Sequence, residues 1–200
     1  MSKGISIILD PPHGCNVEGK RSPDGTHLEY KWGRDRVKSL TKKLTELGYV
    51  VNVTTHSEKE PGLTYRKNVA SGINTGGPKL LLSLHNNASG DGSKWMDARG
   101  VAVYTTKGVT KADMCAAFII EQFLEDFPEV RVRKYSHKPL EQDFESNFTV
   151  LMGKGYWGVL IEWLFQDNRE DVELLKDAEM NARYEESLIK AIEKINEHFA

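Results

Sequence analysis

Two histidines and a glutamate stand where apolar runs of this sequence give way to polar ones, and a second glutamate follows a loop. Residues 5–9 (ISIIL) run into Asp10-Pro11-Pro12-His13-Gly14, and residues 80–84 run into His85-Asn86-Asn87-Ala88. Residues 159–161 run into Glu162, followed by Trp163-Leu164-Phe165-Gln166-Asp167-Asn168. Glu29 opens a helical pattern after the first loop, from which it can return toward the same edge. Two imidazoles and a carboxylate form a donor set of borderline softness that suits zinc. A catalytic zinc keeps a position for water, lowers its pKa and polarises a carbonyl. A further carboxylate near that water can take its proton and pass it to a leaving amine. His13, Glu29, His85 and Glu162 supply these parts with none left over.

The elements that must position them alternate. Residues 5–9 read as a strand that two prolines end, because proline cannot continue a ladder. From Glu29 to residue 47, Val37, Leu40, Leu44 and Leu47 recur at helical spacing, and Gly48 follows as a stop. Further strands are expected at 49–54, 80–84, 101–104 and 159–161, with short ones at 130–132 and 148–151. Further helices are expected at 63–73, 111–127 and 177–199, the last carrying Met180, Tyr184, Leu188, Ile192, Ile195 and Phe199 on one face. Strands alternating with helices imply an α/β fold, a mostly parallel twisted sheet with helices on both faces. In such sheets, functional groups collect at the carboxyl ends of the strands. No repeat, low-complexity tract or linker divides the chain, so residues 1–200 read as one catalytic domain.

The bulk numbers narrow the function classes. The chain has 200 residues, long enough to bury a core without disulfides. A net charge of −2 supplies no strong field for nucleic acid or an anionic membrane, so neither is expected as a partner. Cys15 and Cys115 lie far apart and form no CxxC pair, which makes reduced thiols the default. The apolar run behind Met1-Ser2-Lys3-Gly4 is too short for a signal peptide, and no stretch is long enough to span a bilayer. Synthesis in the cytoplasm and a monomeric state are expected.

The same residues carry a family resemblance. Ile8-Leu9-Asp10-Pro11-Pro12-His13-Gly14 resembles the LDPGHGG opening of the zinc N-acetylmuramoyl-L-alanine amidases of the amidase-3 type. Leu28-Glu29-Tyr30 looks like that family's glutamate segment, and residues 82–88 (LSLHNNA) resemble its S-I-H-A-N-A segment. Residues 159–168 parallel its V-L-V-E-x-G-F-x-S-N segment, and residues 99–104 resemble its G-x-x-V-Y strand. The blocks agree in order over nearly the whole chain. The resemblance implies zinc on His13, Glu29 and His85, with Glu162 as the catalytic carboxylate. It implies peptidoglycan as substrate, cut between the lactyl group of N-acetylmuramic acid and L-alanine. Pro12 stands where the family has glycine, Cys15 where another glycine is common, Thr55-His56 in the region of a Thr-Arg pair, and Trp163 is bulkier than usual. Without a signal peptide or a wall-anchoring domain, a phage or prophage lysin that meets the wall at lysis is expected.

Blander readings compete at each position. His13 alone reads as a hydrogen-bonded loop residue, and His85 as a turn residue beside two asparagines. Glu29 alone reads as a helix-start acid favoured by the macrodipole, with Glu18 and Asp24 as rival ligands. Glu162 follows three apolar residues, and a buried salt bridge with Arg66 or Arg99 would explain it without chemistry. Cys15 would close a zinc site as a fourth ligand, or be a half-buried loop thiol. Trp163 is a candidate for stacking on sugar, and Asn168 for shaping the turn after Glu162. The stretch 134–147, with His137, Glu141, Asp143 and Glu145, is a surface loop or a substrate-contacting one. Two other functions remain open. A zinc peptidase or carboxypeptidase of wall peptides would release different products, and a non-catalytic wall-binding module would have no use for Glu162.

Overall fold

The computed structural model describes residues 3–138 and 140–199. The ends of the expected 1–200 domain and one position of the 134–147 stretch lie outside the described residues. In chain order the elements are β1 (Ser6–Asp10), α1 (Glu29–Glu46), β2 (Val51–Val53), α2 (Leu63–Gly72), β3 (Lys79–Asn87) and β4 (Ala102–Thr105). They continue as α3 (Lys111–Asp126), β5 (Phe144–Glu145), a short 3-10 helix (Thr149–Met152), β6 (Trp157–Phe165), α4 (Arg169–Lys176) and α5 (Ala178–Phe199). The strands form one six-stranded sheet in the order β2-β1-β3-β6-β4-β5. β1, β2, β3 and β6 are parallel neighbours, while β4 runs antiparallel to β6. The expected α/β architecture with a mostly parallel sheet between helices is therefore the one observed.

Local sequence explains several boundaries. Thr110 accepts from the Ala112 amide while Asp113 reaches back to the Thr110 amide, so a capping box starts α3. Asn168 accepts from the amides of Glu170 and Asp171, which caps α4 and accounts for the turn after β6. Other boundaries correct the sequence reading. β3 and β6 run through His85-Asn86-Asn87 and through Glu162, so these polar residues are strand positions and not loop residues, with His85, Asn87 and Glu162 paired across the ladder. Residues 149–152 coil into a 3-10 helix, and only Val132 of the expected 130–132 strand pairs, with Val101. α4 and β5 are too short to show a period in sequence.

Alternation along the strands gives the sheet two unlike faces. On one, Ile7, Leu9, Leu80, Leu82, Leu84, Val101, Val103, Val159 and Ile161 pack against α1, α3 and α5 in the main core. On the other, Ile8, Leu81 and Leu160 pack against Ala70 of α2 and Val150 and Leu151 of the 3-10 helix. That second cover is small. Beyond it the same-face positions turn polar toward the strand ends: Asp10 after Ile8, Ser83 and His85 after Leu81, Glu162 after Leu160.

Candidate metal centre

The end of β1 is fixed first. Asp10, fully buried, accepts from the Thr54 hydroxyl at 2.5 Å, the Ser83 hydroxyl at 2.6 Å and Arg66 Nη1 at 3.0 Å. Arg66 Nη1 also donates to the Pro11 carbonyl at 2.5 Å. From the other side Arg34 Nη1 donates to the carbonyls of Pro12 at 3.3 Å and His13 at 2.7 Å. Two guanidinium groups thus hold three consecutive carbonyls of the loop that presents His13. Pro12, where the family has glycine, fits because α1 has a glycine opposite it. A Cβ on Gly33 would collide with the Pro12 ring.

His13, Glu29 and His85 come together at this edge. His85 Nδ1 lies 3.0 Å from Glu29 Oε1, and His13 Nε2 lies 3.9 Å from the same oxygen. One ligand atom from each of the three falls within 4.8 Å of the other two. The imidazole centroids are 5.0 Å apart and nearly perpendicular. At zinc–ligand lengths of about 2.0–2.2 Å, neighbouring ligand atoms of a tetrahedral ion sit roughly 3.3–3.5 Å apart. The observed separations bracket that spacing, so the donor set fits such an ion with small side-chain shifts. Burial holds the His13 imidazole down at about 3, against the pull of Glu29, so its lone pair is free for a ligand. At His85 burial opposes the charged form, but the hydrogen bond and charge of Glu29 prevail and raise its pKa. Glu29 mirrors this: burial favours its neutral form, and His85 and His13 together lower it.

Other residues hold this carboxylate in place. Gln166 Nε2 donates to Glu29 Oε2 at 3.1 Å, and the Asn86 amide donates to Oε1 at 3.2 Å. The Asn86 side chain donates to the carbonyls of His85 and Trp163, which leaves its Oδ1 to accept from His27 Nε2 at 2.8 Å. His27 is buried, and burial lowers its pKa. None of Gln166, His27, Arg66 and Arg34 was singled out as a site residue. The one signal they offer is polarity beside the motifs, which loop residues share.

Glu162 pairs with His85 across the β3–β6 ladder. Its Oε2 is shielded from solvent and has no hydrogen-bond partner among the described residues. Arg66 pairs with Asp10 and Glu60, and Arg99 pairs with Asp171 and Glu170, so neither arginine neutralises it. Burial pushes its carboxyl up to about 7, with His85 pulling down and Glu29 adding to the rise. A bulge follows directly. Between His85 and Asn87 on β3 the partner strand advances from Glu162 to Phe165, one residue more. The bulge is closed by Leu164 at φ 61°, a left-handed conformation at the position where the quoted family segment has glycine.

Several expectations change. Trp163 does not face the site: it is fully buried among Phe123, Phe127 and Tyr184, because the alternation that points Glu162 to one face points Trp163 to the other. Cys15 is exposed and outside the three-residue group, as are Glu18 and Asp24. Asp24 instead accepts from Ser22 and Thr26.

Fold and site together define a class, an α/β protein with a metal-competent His-Glu-His group and an unpaired carboxylate at the ends of its parallel strands. The N-acetylmuramoyl-L-alanine amidase family model matches residues 7–194, and the chain belongs to that family. Solved structures of like fold include an N-acetylmuramoyl-L-alanine amidase of Clostridium difficile 630, with TM-score 0.80 and 20% identity, covering 96% of this chain and 97% of that one. Ami1 of Mycobacterium smegmatis superposes with TM-score 0.80 at 18% identity, covering 98% of each chain. The catalytic domain of the CD27L endolysin does so with TM-score 0.65 at 18% identity, covering 94% and 97%. No curated protein matches the sequence.

Proposed function

We propose that the protein is a zinc-dependent amidase that cleaves the bond between the lactyl group of N-acetylmuramic acid and L-alanine in peptidoglycan. The observation that carries this reading is the unpaired Glu162 carboxylate beside the His13-Glu29-His85 group, in a chain of the amidase family. His13, Glu29 and His85 would hold the ion. Zinc, when bound, supplies a water of lowered pKa and polarises the scissile carbonyl. Gln166 and Asn86 fix the orientation of Glu29, and the two arginines fix the loop of His13. Glu162 takes the proton of the attacking water and delivers it to the alanine nitrogen as the amide breaks. A carboxyl poised near neutrality suits both halves of that transfer, and positive charge at the group would favour its ionised form. The CD27L endolysin domain among the like folds supports extending the reading to a lysin.

Mass spectrometry of purified peptidoglycan after digestion, with and without chelator, tests the proposal. Release of intact stem peptides that begins at alanine and stops with chelator is expected. Products cut within the stem would replace the reading with a wall peptidase. Release that chelator leaves untouched would end the metal assignment.

A further inference from the structure

The ladder that sets His85 opposite Glu162 breaks one residue further on. Asn87 pairs next with Phe165, so Asn86 on β3 and Trp163 and Leu164 on β6 have no register partner. A bulge bends its strand and interrupts pairing, so the two strands need another tie to keep a fixed separation here. Asn86 supplies it. Its Nδ2 donates to the Trp163 carbonyl at 2.8 Å and to the His85 carbonyl at 3.2 Å. One side chain thus joins the backbone of the proposed ligand to the residue beside the proposed base. The backbone amide of Asn86 also donates to Glu29 Oε1 at 3.2 Å, the oxygen 3.0 Å from His85 Nδ1.

Asn86 is itself held. With its Nδ2 turned to two carbonyls, its Oδ1 can only accept, and His27 Nε2 lies 2.8 Å away as the donor. His27 comes from the side of α1 and α5, beside Trp32 and Asn181, opposite the face that carries the chemistry. Its own backbone is fixed at both ends. The His27 amide donates to Ser22 Oγ at 2.9 Å, its carbonyl accepts from the Ser22 amide at 3.0 Å, and Arg21 bridges to Leu28 just outside. His27, Ser22 and Asn86 are all buried, so water does not compete for these bonds. The family segment S-I-H-A-N-A has alanine at the position of Asn86, so this tie is a feature of the present chain. Leu164, left-handed where the family segment has glycine, belongs to the same bulge.

We propose that Asn86, held by His27, is a positioning residue that sets the separation of His85 and Glu162 across the bulge. The proposal rests on the amidase reading and deepens it. A base displaced by about 1 Å from the water it must deprotonate loses on the order of 10²-fold in rate. Gln166 holds an oxygen of the ligand Glu29, whereas the Asn86 side chain holds one strand against the other. Loss of the Asn86 side chain therefore falls on turnover more than on metal affinity.

The test uses the zinc-loaded full chain and a soluble muramoyl peptide. Asn86→Ala is expected to lower kcat about 10–100-fold, with KM within about twofold and zinc affinity lowered less than about tenfold in chelator competition. His27→Leu is expected to lower kcat about tenfold, and His27→Gln, whose amide can donate to Asn86 Oδ1, to keep it within about threefold of the wild type. In the Asn86→Ala background His27→Leu is expected to cost less than about twofold more, because nothing is left for it to hold. Cobalt(II) in place of zinc reports ligand geometry without turnover. Its visible absorption is expected to change in Asn86→Ala and His27→Leu and to match the wild type in His27→Gln. Phe123→Ala is the control for a loss of packing alone, expected to move neither kcat nor the cobalt spectrum. Wild-type kcat in Asn86→Ala, or a His27→Leu loss that persists in full without the Asn86 side chain, overturns the proposal. Should Asn86→Ala fail to fold, the two His27 variants still decide, since equal kcat and equal spectra in them overturn it as well. No peptide release by the wild type, together with cobalt spectra that follow the expected pattern, overturns the amidase reading and keeps Asn86 as a positioner of the metal group.

Discussion

The two faces of the sheet are made by the same strands, yet they do different work. The face under α1, α3 and α5 is apolar along its whole length, with Trp163, Phe123, Phe127 and Tyr184 stacked at its centre. The face under α2 is apolar only at its start, and then presents Asp10, Ser83, His85 and Glu162 in neighbouring strands. One cover is broad and the other narrow, and at the edge of the narrow one His13 and Glu162 keep partial exposure. A buried polar side chain is costly unless it is paired. Asp10 and Ser83 are satisfied by Arg66, Thr54 and each other, whereas Glu162 keeps an oxygen without a partner. Apolar packing is concentrated on one face and the unpaired acid on the other.

Substitutions on the two faces should therefore separate activity from stability. The largest expected effect is on the open face. Glu162→Gln should lower turnover about 10²–10⁴-fold with bound zinc unchanged by elemental analysis, whereas His85→Ala should lose both. Full activity in the Glu162 variant would remove the role assigned to that residue. The same variant carries a pH signature in metal-free protein. The folded carboxyl is raised from 4.5 to about 7, so its stabilising protonated form is complete below the lower value and is lost as pH rises through the upper one. Urea unfolding should show Glu162→Gln gaining on the wild type over that window, and curves that stay parallel would contradict the burial argument.

On the closed face Phe123→Ala should cost about 3–5 kcal/mol of stability, measured by denaturant unfolding, with kcat preserved well below the transition. A large fall in kcat there would mean that the two faces are coupled. Gln166→Leu sharpens the contrast at the junction between them. Removing the donor to Glu29 should weaken zinc binding about 10–100-fold in chelator competition. It also strips the buried Glu29 Oε2 of its donor, which outweighs deletion of the partnerless Gln166 Oε1, so the melting temperature of the metal-free protein should fall. Loss of folding with unchanged zinc affinity would make Gln166 a packing residue. The smallest effect is a labelling one. Burial pushes the Cys115 thiol up to about 12, and the residue is inaccessible, so iodoacetamide should modify exposed Cys15 alone until the chain unfolds. Early labelling of Cys115 would show that the closed face opens readily.

What could be read from the sequence were the properties carried by neighbours along the chain. The period of α1 and α5, the apolar runs of β1, β3 and β6, and the polar residues at their ends all appear within a few positions, and they point to the α/β class and to His13, His85 and Glu162, whereas the choice of Glu29 over Glu18 and Asp24 rests largely on the family resemblance. The family blocks added an order in which those residues occur. What the tertiary structure alone decided depends on partners distant in sequence. That β4 runs antiparallel to β6, that the β6 bulge sets Leu164 left-handed, and that Trp163 belongs to the core are outcomes of pairing and packing. The support of Glu29 by Gln166, 137 positions away, is of the same kind. A side chain's type states which bonds it can make, but only the folded chain determines which partner comes within about 3 Å of it.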